Sequence, residues 1–127
     1  MATIKSFTSL EQSRKLAEIL PLESADMHWA KDFDGSWFVD LAEYTSVKIP
    51  KYVGNVEEHL LPCWSLASLL GILPLEIDTH KQTDGYKIYY YVESYMKRMG
   101  KEIYLSTERH ENLVDACVEM IIKLYTN

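Results

Sequence analysis

Few side chains in this sequence have both the type and the spacing for chemistry, and Cys63 is the sharpest of them. It follows Pro62, which reads as the first turn of a helix, where proline is tolerated because that N–H would be unpaired anyway. A cysteine there gains from the helix dipole and from free backbone N–H groups, and both favour the nucleophilic thiolate. His59 lies four residues upstream, and His110 lies much farther along the chain. Cys63 as nucleophile with His59 or His110 as base would make a cysteine-dependent hydrolase or transferase. The competing reading is a small buried residue that packs the helix start. A lone cysteine points only weakly to catalysis.

Other reactive sets are poorer. His59 and Cys63 have the i,i+4 spacing of two metal ligands, but Pro62 between them breaks a continuous helix. His28, His80, His110 and Cys117 are scattered, without C-x-x-C or H-E-x-x-H spacing, so no metal is expected. Asp32 with Asp34, Glu57 with Glu58 and Glu108 with Glu111 are carboxylate pairs in polar stretches, where solvation is the default. The five glycines are isolated, which excludes a dinucleotide fingerprint and a Walker loop, and there is no G-x-S-x-G elbow. No cofactor is expected.

The aromatic residues stand out more. There are nine tyrosines and three tryptophans, and Tyr86, Tyr89, Tyr90, Tyr91 and Tyr95 cluster. On a strand, alternate residues face opposite ways, so Tyr89 and Tyr91 share one face and Tyr90 takes the other. One face should be core, and the other could present tyrosines to a partner, a role that suits an amphipathic ring. Tyr89, Tyr91, Tyr95 and Trp37 are therefore the candidate binding residues. The competing reading is half-buried sheet packing. Lys97, Arg98 and Lys101 form a short basic cluster beside Tyr95 and Tyr104, read as a solvated hairpin tip.

These residues need elements to hold them. Thr8 and Glu11 have capping-box spacing before a helix with Leu10, Leu16, Ala17 and Leu20 on one side, and Pro21 ends it. Met27–Ala30 and Ser36–Leu41 flank the turn signal Asp34-Gly35, which predicts a hairpin. Val47–Val53 alternates and holds Pro50, so it reads as an edge strand. The segment PCWSLASLLGILP predicts a central helix that is apolar nearly all round, with Leu66, Leu69, Leu70 and Leu73 as its stripe. Asp84-Gly85 precedes a strand over Tyr86–Val92. Lys97–Lys101 reads as a hairpin loop into Ile103–Leu105, or Met96–Met99 as a helical turn. Asn112 caps a last helix whose apolar face runs through Leu113, Ala116, Cys117, Met120, Ile121 and Leu124.

The order helix, strands, helix, strands, helix predicts an α+β fold. The expected form is a mostly antiparallel sheet of about 4–6 strands. Three helices, near 9–20, 62–73 and 112–125, would pack mainly on one face. One globular domain is expected over 1–127.

The bulk composition sets outer limits. The 127 residues are 47% hydrophobic and 25% charged, ordinary proportions for a domain with its own core. A net charge of -6 disfavours the phosphate backbone of a nucleic acid as a partner. The start of the chain carries no apolar leader pattern. The longest uncharged run, Leu60–Leu75, is short for a membrane span and holds two prolines. The cytoplasm is the expected compartment, with Cys63 and Cys117 as reduced, buried thiols.

Three stretches, SLEQSRKLAEILPLESADM (Ser9–Met27), PCWSLASLLGILP (Pro62–Pro74) and NLVDACVEMIIKL (Asn112–Leu124), carry a resemblance. They resemble a group of small uncharacterised proteins from gut bacteria and their phages and mobile elements. The resemblance covers about a third of the chain. It implies a compact intracellular domain of accessory or host-interaction type, with no activity, cofactor or catalytic residue attached. The expected function is a non-enzymatic accessory or protein-interaction domain, with a protein partner or a homodimer and no membrane. The alternatives are the Cys63 enzyme and a small-ligand binder using the tyrosine-rich sheet face.

Overall fold

A computed structural model describes residues 5–32, 34–41 and 60–126. The elements are α1 (Leu10–Ala17), a 3-10 turn (Leu22–Ser24), β1 (Met27–Lys31), β2 (Trp37–Leu41), β3 (Leu60–Cys63), α2 (Leu66–Ile72), β4 (Ile77–Thr83), β5 (Ile88–Arg98), β6 (Lys101–Ser106) and α3 (Leu113–Tyr125). The fold is α+β, as predicted. Its described strands make two three-stranded antiparallel sheets, ordered β2-β1-β3 and β4-β5-β6, rather than the one larger sheet expected. The break falls at α2, which carries the chain from the edge of the first sheet to the edge of the second. The helices are divided as well: α1 lies on β3, and α3 crosses β5 and β6 while touching α1 and α2.

Caps decide where the helices begin. α1 is capped by Ser9, whose Oγ accepts from Gln12 N, while Gln12 Oε1 accepts from Ser9 N. The capping box is thus one residue later than the predicted Thr8 and Glu11. Thr8 is unavailable because it is fully buried, with its Oγ1 accepting from Trp64 N at 3.1 Å and bonded to Ser13 Oγ at 2.8 Å. Asn112 caps α3 as predicted, its Oδ1 accepting from Asp115 N at 2.8 Å.

The second helix departs most from expectation. Pro62 does not open it: Pro62 and Cys63 belong to β3, paired with His28 and Met27. β3 is an edge strand among the described residues, the place where a sheet tolerates proline. Ser65 caps α2 instead and is itself held by Asp26, which accepts from Ser65 N at 2.9 Å and from Ser65 Oγ. Nor is α2 buried all round, since Leu69 is buried but Leu70 is 40% exposed.

The first hairpin, β1 with β2, follows the predicted Asp34-Gly35 turn, where Asp34 Oδ1 accepts from Ser36 N at 2.9 Å. β5 and β6 confirm the hairpin reading of Lys97–Lys101. Their two-residue turn places Met99 at φ 53° and Gly100 at φ 77°, the positive φ values that match the twist of paired strands. β4 escaped the sequence reading altogether. The predicted strand Val47–Val53 lies outside the described residues.

A buried core joins the three helices to β5. Leu16 and Leu20, Trp64, Leu69 and Leu73, Val92, and the inner side of α3 from Val114 to Ile121 form a buried cluster. Each large side chain buried there contributes about 1.5–3 kcal/mol relative to exposure. Trp64 is fully buried, and its Nε1 donates to Ser24 Oγ at 3.0 Å. No helix among the described residues is long and apolar enough to cross a membrane.

Candidate functional site

The central strand of the second sheet divides its residues cleanly. Val92, Ser94 and Met96 are buried beneath α3, while Tyr89, Tyr91, Glu93 and Tyr95 alternate onto the other face. The backbone continues this central position beyond β6, because Tyr90 and His110 exchange hydrogen bonds at 2.7 and 2.8 Å. Tyr86–Val92 is therefore not an edge, and edge-to-edge dimerisation through it has no structural basis.

Register then decides which neighbours join the tyrosines on the outer face. Across β4, Gln82 is opposite Tyr89, His80 opposite Tyr91 and Asp78 opposite Glu93. Across β6, Tyr104 is opposite Tyr95 and Glu102 opposite Lys97. Among the described elements none packs against this face.

The face is polar but ordered. The His80 and Tyr91 rings stack with centroids 4.5 Å apart at 10°, and His80 Nε2 lies 2.6 Å from Glu93 Oε1. The other oxygen of Glu93 accepts the Tyr104 hydroxyl. Gln82 Nε2 donates to Tyr91 Oη at 3.3 Å. The hydrogen bond to Glu93 pushes the Tyr104 phenol up in pKa, and the bond to Glu102 does the same for Tyr95. Both phenols therefore stay protonated donors well above neutral pH. Tyr95 and Tyr104 remain 54% and 57% exposed.

Cys63 is elsewhere and differently disposed. It is 0% exposed, at the end of β3 rather than at a helix N-terminus. Burial pushes its thiol up in pKa, and hydrogen bonds from Thr8 and Ser13 only partly offset this. Its sulfur sits 3.6 Å from Thr8 Oγ1 and 3.5 Å from the Thr8 carbonyl. His110 is engaged with Glu119, at 2.7 Å from Nε2 to Oε1, and His59 lies outside the described residues. Cys117 is also buried, its thiol pushed up to about 12 by desolvation. Such thiols are inert packing groups.

The four predicted binding residues do not form one site. Tyr89, Tyr91 and Tyr95 share the outer face of the second sheet, whereas Trp37 is on β2 of the first. Trp37 is covered by the chain itself, with Arg14 and Lys31 each 5.9 Å from its ring centroid. Sequence reasoning missed His80, Glu93, Glu102 and Tyr104. The signal for Tyr104 was present in the predicted hairpin, but β4 has too few apolar residues to betray its alternation.

A cleft of about 450 Å³ lies apart from this face, between the N-terminal segment and the start of α3, with Lys5, Phe7, Trp29 and Asn112 among its walls. Lys5 Nζ is already taken by Gln12 and Asp115, at 2.8 and 2.7 Å. Among the described residues no three His, Cys, Asp or Glu side chains gather in a group that could hold a metal. The chain matches no family model, no curated protein and no solved structure.

Proposed function

We propose that this chain is a non-enzymatic interaction domain that binds a protein partner through the outer face of β4, β5 and β6. One observation carries the reading: Tyr95 and Tyr104 stand opposite each other, more than half exposed, with the Tyr104 hydroxyl already bonded to Glu93. Tyrosine is a good contact residue because it offers a large amphipathic surface and loses little freedom when it is covered. Rings held in place by carboxylates lose still less. The enzyme reading is set aside because Cys63 is buried and protonated. An accessory role inside a bacterial cell, as the resemblance implies, agrees with this proposal and adds no activity to it.

A photo-reactive amino acid placed at position 95 or 104 tests the proposal in the native cells. The expected result is a discrete cross-linked partner from both positions and none from position 23, which is exposed on the 3-10 turn. Cross-links from position 23 alone would refute it.

A further inference from the structure

We infer that the occupant of this face is cationic: an arginine or lysine side chain from a basic segment of another protein. It would lie on the Tyr95 and Tyr104 rings with its charge beside Glu93 and Glu102. This inference rests on the interaction reading above and supplies the chemistry of the partner.

The charge of the face is the first reason. Three carboxylates, Asp78, Glu93 and Glu102, come to it by register, against Lys97 as its lysine and His80, whose Nε2 lies 2.6 Å from Glu93 Oε1. Lys97 stands opposite Glu102, at the end toward the turn. The surface thus favours a positive partner and disfavours an acidic one.

The treatment of aromatic rings elsewhere in the chain is the second reason. Arg14 and Lys31 lie over Trp37, and Lys81 lies over Tyr90, each at 5.9 Å. Among the described residues no cation lies over Tyr95 or Tyr104. Tyr95 and Tyr104 are paired, exposed rings with Glu93 at the Tyr104 hydroxyl, a setting that suits a cation as the rings of Trp37 and Tyr90 do. A phenol that donates to a carboxylate gains electron density in its ring, which strengthens attraction for a cation above it. Arginine fits best, because its guanidinium is flat, weakly hydrated and able to stack while it bonds a carboxylate.

The test is an amide-resolved NMR titration of the full chain with three blocked pentapeptides: Gly-Arg-Gly-Arg-Gly, Gly-Glu-Gly-Glu-Gly and Gly-Ser-Gly-Ser-Gly. The arginine peptide should shift residues 93–95 and 102–104 saturably, and the other two should not. Tyr95→Ser with Tyr104→Ser should weaken its binding about fivefold or more, the loss expected for exposed cation–ring contacts. Glu102→Gln should weaken it more than Glu23→Gln, which changes the net charge equally but is remote. Equal losses from those two variants would mean bulk attraction only and would overturn the inference. So would equal shifts from the serine peptide, or a concentration-dependent dimer formed through this face. If the arginine peptide leaves the face untouched while cross-linking from position 95 still captures a partner, the cation assignment fails and the interaction reading survives. If both fail, both readings fall.

Discussion

The two sheets of this molecule dispose of their aromatic residues in opposite ways. Around the first sheet most rings are engaged: Phe7 meets Trp29 edge-on at 5.8 Å, Arg14 and Lys31 lie over Trp37, and Trp64 is fully buried just after β3, while Phe38 on β2 is left 41% exposed. On the outer face of the second sheet, Tyr95 and Tyr104 stand more than half exposed, with the Tyr104 hydroxyl bonded to Glu93. Similar residue types serve cohesion in one place and presentation in the other. The difference arises from what the neighbouring elements leave uncovered, since α3 occupies the inner face of β5 and nothing described occupies the outer one.

The largest effect should separate these two uses. Trp64→Ala should cost about 3–5 kcal/mol, the range for emptying a large buried aromatic site. Tyr95→Ser with Tyr104→Ser should cost about 1 kcal/mol or less, because little buried surface is lost. Equilibrium urea unfolding measures both. A double tyrosine variant as unstable as the tryptophan variant would erase the contrast.

Acid should act on the carboxylates that hold the framework. Burial raises the pKa of Asp115, but hydrogen bonds from Lys5, Gln12 and Asn112 outweigh it and leave the group below its ordinary 3.8. Glu119 behaves alike: His110, Lys123 and the Glu108 amide overcome desolvation and hold it below 4.5. Asp26, held by Ser65 and Ser68 against its own burial, is also lowered from 3.8. The unfolded chain binds protons at these sites more readily than the folded one. Their stabilisation is therefore complete above the ordinary values and is lost as pH falls through the lower folded ones. Urea unfolding should give a steady stability near neutrality that declines below about pH 5. Asp115→Asn should lower the plateau and make the decline shallower.

Ser94 offers a smaller test on the inner face of β5. It is fully buried, and its Oγ has no hydrogen-bond partner among the described residues. An unpaired buried hydroxyl costs about 1–3 kcal/mol, part of which alanine recovers. Ser94→Ala should raise stability by about 1 kcal/mol in the same unfolding assay, and a loss would show that the hydroxyl is satisfied after all.

Much of the fold was legible because it was written in local chemistry. Asn112 and the apolar period after it marked α3, Asp34-Gly35 marked the first hairpin, and the tyrosine alternation on β5 was read correctly. What failed depended on distant contacts. Pro62 looks like a helix start until its pairing with His28 places it in a strand. Thr8 looks like a cap until Trp64 and Ser13 claim its hydroxyl. The site was half legible: Tyr89, Tyr91 and Tyr95 declared themselves, but His80 joins them only through the register of a strand with few apolar residues. The false lead at Cys63 came from the same source, since the helix start that would have activated it lies three residues later, at Leu66.

The most direct test of the account is the affinity of a purified cross-linked partner for two variants, measured by calorimetry. Tyr95→Ser with Tyr104→Ser should weaken binding at least about tenfold, the loss expected from truncating contact residues at the centre of an interface, while melting stays close to that of the parent chain. Trp37→Ser should leave the affinity unchanged. The reverse pattern, with loss at Trp37 and none at the tyrosines, would contradict the account and move the interaction surface to the first sheet.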